Sequence, residues 1–184
     1  MSETAAGRLP GDLTARETVE RIIRVDHAGE YGARRIYQGQ LAVLGRRSPN
    51  AGLLRRMRQQ EQAHLDSFAD LVVTRRVRPT ALLPLWHVAG FALGAITAAL
   101  GEKTAMACTV AVEEAIDEHY AGQAADLGED EAPLRATIEQ FRADELEHRA
   151  IGLTHGAEDA PGYRMLYNII KAGCRAAITL SERI

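Results

Sequence analysis

Cysteine is scarce in this 184-residue chain: Cys108 and Cys174 stand 66 residues apart and form no CxxC pair. That excludes a disulfide scaffold and a structural cysteine–zinc site, and the usage suits a reducing compartment. Aromatic residues make up only 5 %, and no alternating strand pattern runs beyond a few residues, which argues against a β-sandwich. A surplus of one charge is also missing. With 22 basic against 25 acidic side chains the net charge is −3, so no global basic field points to nucleic acid. There is no Gly-rich dinucleotide fingerprint and no low-complexity segment. The first dozen residues lack the apolar core of a signal peptide.

What is present is a globular balance, 46 % hydrophobic and 26 % charged, in a length suited to one domain. Alanine and leucine abound, and helix signals divide the chain into six segments. Thr14 and Glu17 form a capping box, and the first helix runs to Gly45. The second is expected from about Asn50 to Val77, because the residue before Pro79 disfavours helical geometry. Leu82 to Leu100 is almost wholly apolar. Further helices are expected from Glu102 to Gly128, from about Asp130–Pro133 to Gly156, and from about Pro161 to the C-terminus. The expectation is an all-α domain over residues 14–184, with residues 1–13 a disordered N-terminus.

One internal symmetry is chemical. Glu30 precedes Glu61-x-x-His64 by 31 residues, and Glu113 precedes Glu145-x-x-His148 by 32. Corresponding positions in the two halves lie 83 or 84 apart. Residues three apart on an α-helix share a face, so each ExxH turns a carboxylate and an imidazole toward one point. Four carboxylates and two imidazoles, drawn from four helices, are the ligand set of a di-iron or di-manganese bundle core. Two divalent ions would cancel the four negative charges. Without cations, four converging buried carboxylates repel and take up protons. A lone ExxH says little; two, each preceded by a glutamate at matching spacing, are specific. On the fifth helix Leu134, Ile138, Phe141, Glu145, His148 and Gly152 share one stripe, so the ligand pair interrupts a core-facing surface, with Glu147 on the solvent side.

Several neighbours need placing. Glu113 is preferred to Glu114, whose helical neighbours Asp117 and Glu118 make its side wetter. His27, three residues before Glu30, is assigned a structural or supporting role, because its counterpart in the other half is Val110. A ligating histidine needs a partner on its other ring nitrogen. Asp144 is placed to serve His64 or else to be a surface aspartate, Gln60 to serve His148, and Asp26 is a further candidate. Tyr120, two turns after Glu113, either lines the substrate side or is a core tyrosine with its hydroxyl satisfied. His87, His119 and His155 have no partner at ligand spacing, and Cys108 reads as small core packing.

The apolar stretch is long enough to span a bilayer, but a span would put the second and fourth helices on opposite sides and prevent the ligand helices from converging. It is therefore expected to be a crossover, packed on the bundle or lying in an interface. Upstream, Arg46, Arg47, Arg55, Arg56, Arg58, Arg75, Arg76 and Arg78 face only Glu61, Asp66 and Asp70 in the same stretch. A basic surface beside an apolar segment suits an anionic lipid surface; the alternative is a solvated helix face next to a core helix.

The strings RVDHAGEYGA (24–33), EQAHL (61–65), RPTALLPLWHVAGFALGA (78–95), ACTVAVEEAIDEHY (107–120), DELEHRAIGL (144–153) and AGCRAAITLSERI (172–184) resemble the demethoxyubiquinone hydroxylases, di-iron monooxygenases of ubiquinone biosynthesis. The resemblance implies a ferritin-like four-helix bundle with an apolar crossover segment and an additional C-terminal helix. It implies two iron ions on Glu30, Glu61, His64, Glu113, Glu145 and His148, the six residues already found by spacing. It also implies O2-dependent hydroxylation of a polyprenyl demethoxy-benzoquinol in the penultimate step of ubiquinone synthesis. The expected partners are the prenylated quinol, the lipid surface of an inner membrane, an external reductant such as NADH, and a lipid-binding accessory protein; a homo-oligomer is a further expectation, nucleic acid is not. The expected location is the cytoplasmic face of a bacterial inner membrane, or the matrix side of the mitochondrial inner membrane for a processed eukaryotic chain. A ferritin-class iron oxidase or storage protein is the alternative, and the apolar crossover is the feature that separates the two.

Overall fold

The computed structural model describes residues 12–45 and 48–184. Of the N-terminal stretch expected to be disordered, only Asp12 and Leu13 fall within that range, as exposed residues ahead of the first helix; the rest, with Arg46 and Arg47, lies outside it. The described residues form six α-helices: α1 (Ala15–Leu44), α2 (Ala51–Thr74), α3 (Leu83–Ala99), α4 (Glu102–Asp126), α5 (Ala132–Thr154) and α6 (Tyr163–Arg183).

The helix ends follow local chemistry. The Thr14 hydroxyl accepts from the Glu17 N–H at 3.0 Å while the Glu17 carboxylate accepts from the Thr14 N–H at 2.7 Å, the reciprocal box that starts α1. The end of α2 departs from expectation, three residues short of Val77. Arg76 adopts φ 54°, the Val77 N–H reaches the Val72 carbonyl at 2.9 Å, and the Arg76 N–H reaches Val73 at 3.2 Å. This is a Schellman closure with arginine in the position usually held by glycine, so proximity to Pro79 was not the signal that stopped the helix.

The fold is the expected all-α ferritin-like bundle. The inner helices α1 and α2 pack together, as do α4 and α5, while α3 lies on α1 and α4, and α6 on α4 and α1. The crossover is seated by missing side chains. A Cβ at Gly90 would come 2.8 Å from the Gly32 carbonyl oxygen, and a Cβ at Gly94 or Gly39 would overlap the backbone of Ile36 or Phe91. Glycine at these places lets α1 and α3 approach backbone to backbone.

That seating corrects one expectation. The Gly32–Ile36–Gly39 stripe of α1 faces α3, whereas Arg34, two residues or roughly 200° around the helix from Gly32, donates to Gln62 of α2 at 2.8 Å. Helices α2 and α3 therefore lie on opposite sides of α1. The exposed Arg55, Arg56 and Arg58 of α2 are not beside the apolar segment. Arg75 pairs with Glu131 through two bonds of 2.9 and 2.8 Å. Arg76 and Arg78 sit with Arg75 in the connection leading to α3.

Candidate metal centre

Each inner helix carries one part of the cluster: Glu30 on α1, Glu61 and His64 on α2, Glu113 on α4, Glu145 and His148 on α5. All six are at most 3 % exposed, although carboxylates are almost never fully buried unless paired. Their atoms form two overlapping sets, Glu30–Glu61–His64–Glu145 and Glu61–Glu113–Glu145–His148, each with its ligand atoms within 4.8 Å of one another. Glu61 and Glu145 belong to both.

The imidazoles aim inward through Nδ1. His64 Nδ1 is 3.2 Å from Glu145 Oε1 and 3.4 Å from Glu30 Oε2. His148 Nδ1 is 3.1 Å from Glu61 Oε1, 3.4 Å from Glu145 Oε2 and 3.9 Å from Glu113 Oε1. The outer nitrogens are occupied: His64 Nε2 lies 3.1 Å from Asp144 Oδ2, and His148 Nε2 lies 3.1 Å from Gln60 Oε1. These partners accept from Nε2 and leave each Nδ1 as the atom directed at the centre, the arrangement a ligating histidine requires.

Eight inner atoms have no hydrogen-bond partner: Glu30 Oε2, both oxygens of Glu61 and Glu145, Glu113 Oε2, and Nδ1 of His64 and His148. Such orphaned buried groups are costly and call for an ion or a proton. Burial, and then the charge of Glu145, push Glu61 and Glu113 well above the ordinary carboxylate range. Burial acts on Glu145 in the same sense, but the close imidazoles of His148 and His64 outweigh it and draw that carboxyl down to about 2. His64, whose burial disfavours charge, is nevertheless raised to about 11 by Glu145 and Glu30. The cluster thus balances its charge with protons where no cation does so. Four carboxylates and two Nδ1 lone pairs are a donor set that fits two divalent ions.

Two tyrosines close the cluster by crossing it. The Tyr37 hydroxyl of α1 donates to Glu113 Oε1 on α4 at 2.5 Å, and the Tyr120 hydroxyl of α4 donates to Glu30 Oε1 on α1. Tyr120 therefore contacts the site, with its hydroxyl satisfied by the glutamate of the opposite helix. Tyr37 was missed in the sequence, where it reads as one apolar-face residue among several. The signal was available: both tyrosines stand seven residues after their glutamates and 83 apart, like Glu30 and Glu113.

Other neighbours sort cleanly. Glu114 turns away, bonded to Arg149 at 2.8 Å and Lys171 at 2.9 Å. Asp26 does not reach either histidine of the cluster. It accepts from Gln123 at 2.7 Å and lies 3.6 Å from His119 Nε2, because its turn of α1 meets the far end of α4. His27 belongs to neither set. His87 Nδ1 sits 2.6 Å from the Tyr31 hydroxyl, and Cys108 is core.

Helices α1, α3, α4 and α6 wall an apolar cavity of about 360 Å³, which none of the six cluster residues lines. Gly29 and Ala33, which flank Glu30 in sequence, and Val112 and Ile116, which flank Glu113, line it together with Trp86, Leu93, Ile170 and Cys174. Toward solvent, α3 exposes Leu85, Val88 and Ile96, with Leu100 just past its end, and α6 exposes Met165, Leu180 and, at the cavity's edge, Ile169. Trp86 Nε1 ties the two helices by donating to the Ser181 hydroxyl at 2.9 Å. Among the described residues no helix is long and apolar enough to cross a membrane.

A family model described as ubiquinone biosynthesis protein COQ7 matches residues 17–181. A Rhodospirillum rubrum protein named 3-demethoxyubiquinol 3-hydroxylase is 62 % identical over 182 residues, covering 99 % of this chain and 86 % of that protein. A Homo sapiens protein named NADPH-dependent 3-demethoxyubiquinone 3-hydroxylase, mitochondrial, is 58 % identical over 177 residues, 94 % of this chain and 81 % of that one. The Saccharomyces cerevisiae 5-demethoxyubiquinone hydroxylase, mitochondrial, is 42 % identical over 182 residues, 90 % and 78 % of the two chains.

Proposed function

The chain belongs to the COQ7 family of ubiquinone biosynthesis proteins, and from that premise we propose that it is a di-iron hydroxylase of a prenylated demethoxyubiquinol. The observation that carries the metal reading is the pair of overlapping four-residue sets sharing Glu61 and Glu145, with eight inward atoms that no hydrogen bond satisfies. Glu30 and His64 would hold one iron, Glu113 and His148 the other, and Glu61 and Glu145 both. Bound there, two ferrous ions supply the reducing equivalents and Lewis acidity that dioxygen activation needs.

The chain's own residues do the rest. Burial of all six ligands excludes water, so electrostatic interactions at the centre are strong and side reactions are suppressed. Asp144 and Gln60 hold the imidazole rings in one tautomer, and Tyr37 and Tyr120 hold the unshared carboxylates in place. The cavity abuts the two helices bearing Glu30 and Glu113, which suits a quinol ring placed against the centre with its tail between α3 and α6. The ring gains one oxygen atom at its unsubstituted carbon and loses the proton there, restoring aromaticity. The second oxygen atom leaves as water, with two electrons and two protons drawn from an external reductant. A reduced nicotinamide is the natural candidate, as the human relative's name states for that protein.

The exposed apolar faces of α3 and α6 support peripheral attachment to a membrane that carries the substrate, with the helices lying in the interface. In a bacterium this is the cytoplasmic face of the inner membrane; the eukaryotic relatives are named mitochondrial. An iron-storage reading would use the same ligands but leaves the apolar cavity and these faces without a purpose.

The test is turnover by the iron-reconstituted protein with short- and long-tailed demethoxyubiquinols, read by mass of the ring product. Hydroxylated product that disappears on iron removal is expected, and iron uptake without product would contradict the reading. Leu93→Asp, in the cavity wall, should reduce long-tail turnover more than iron content. Equal loss of both would make the cavity mere core.

A further inference from the structure

The two halves of the centre are near copies, and directly behind their histidines they differ in charge. Each set has one unshared carboxylate, Glu30 or Glu113, clamped by a tyrosine from the opposite helix. Each has one histidine directed through Nδ1. The outer partners are unlike: His64 Nε2 meets the Asp144 carboxylate and His148 Nε2 meets the Gln60 amide oxygen, both at 3.1 Å. A carboxylate draws on the Nε2 proton, makes Nδ1 the stronger donor and adds a negative charge behind the ring. A neutral amide fixes the tautomer without that charge.

The surroundings do not cancel the difference. Arg142, near Asp144 in sequence, is taken by Asp117 at 2.6 Å. Arg149, next to His148, is taken by Glu114. Asp26 lies on the Glu30 side, so any charge it carries acts in the same sense as Asp144. Phe141 stacks on His64 at 4.0 Å between ring centroids and holds that ring against Asp144.

We propose that the two ion positions are unequal, that the Glu30–His64 position fills first, and that Asp144 is the positioning residue that sets this order. The inference rests on the two-ion reading above and goes beyond it by ranking the positions.

Crystals of the full chain loaded with one equivalent of Co(II) per chain, measured at the cobalt absorption edge, report the occupancy of each position directly. A preference of about tenfold for the His64 position is expected, the lower end of what an outer partner of a ligating histidine is worth. Asp144→Asn makes both outer partners neutral amides and should bring the occupancies close to equal. The double exchange Asp144→Asn with Gln60→Glu should reverse the preference. Both positions are partly exposed, so the variants keep the buried core. Equal occupancy in the unaltered chain overturns the order, and a preference that survives the double exchange overturns Asp144 as its cause; both leave the two-ion centre intact. No cobalt at either position under saturating metal overturns the two-ion reading itself.

Discussion

Replacing Glu145 by alanine removes the one side chain that touches both histidines of the centre, at 3.2 and 3.4 Å. Two opposing effects set the stability of the metal-free variant. Truncation opens roughly 50 Å³ in a dry core and costs about 1 kcal/mol at ~24 cal/mol per Å³. Against this, Glu145 is a charge whose carboxylate lies within 4.8 Å of those of Glu61 and Glu113; one such like-charge pair is worth about 3.5 kcal/mol at an effective dielectric constant of ~20. Protonation of Glu61 and Glu113 already relieves part of that repulsion, and truncation also forfeits the attraction of Glu145 for His148 and His64 that holds its carboxyl at about 2, so gain and losses offset and the metal-free variant should melt within about 4 °C of the parent. Metal binding has no such compensation, since both sets lose a donor. In thermal melts with Co(II) at a hundredfold excess over its dissociation constant, the parent should gain about 5–10 °C from ~2.7 kcal/mol of linkage. The variant should gain nothing, and metal analysis should find it empty. A variant that retains two metals per chain with the parent's melting shift would refute the assignment of Glu145 as a shared ligand.

Tyr37→Phe deletes the hydroxyl's contacts with Glu113 and the Met57 sulfur without changing the ring's edge-on packing against His148; cobalt titration should show binding about 10- to 100-fold weaker, and unchanged affinity would return Tyr37 to plain core. Gly94→Ala forces a methyl into the Ile36 backbone and should cost about 1–3 kcal/mol. Gly122→Ala, where an added Cβ meets nothing, should instead stabilise by about 0.5–1 kcal/mol; chemical denaturation of both variants checks the contrast. Burial raises the Glu114 carboxyl, but Tyr167, Lys171 and Arg149 outweigh it and hold the group at about 2, below its ordinary 4.5. A lowered carboxyl stabilises fully above pH 4.5 and loses that contribution as pH falls through about 2. Glu114→Gln should therefore lower stability by about 1 kcal/mol at pH 7, with the difference shrinking below pH 4.5 and gone by pH 2 in urea melts.

The parts that could be read from the chain are those governed by helical period. Glu30, Glu61, His64, Glu113, Glu145 and His148 stand at spacings that turn them to one face of each helix, and the bundle brings those faces together. The crossed partners Asp144–His64 and Gln60–His148 followed from the same symmetry. What could not be read depends on how helices pass one another. Asp26 shares an α1 face with Glu30, so helical spacing alone does not separate them; only the register of α1 against α4 gives it Gln123 and His119. Tyr37 looks like core because it is core, and its hydroxyl gains a role only across the bundle. The arginine-rich stretch looked continuous with the apolar segment because it adjoins it in sequence, yet glycine-mediated seating of α3 on the opposite side of α1 separates Arg55, Arg56 and Arg58 from it. The end of α2 at Thr74 rests on a left-handed arginine, which composition does not announce.

With iron bound at the buried carboxylate–histidine cluster, the oxygen atom added to the quinol ring should come from O2. A single turnover of the iron-loaded, chemically reduced protein with demethoxyubiquinol under 18O2 in unlabelled water measures this directly by the mass of the ring product. One heavy oxygen in the new hydroxyl is expected. A product whose new oxygen is light, formed at the same yield, would contradict it.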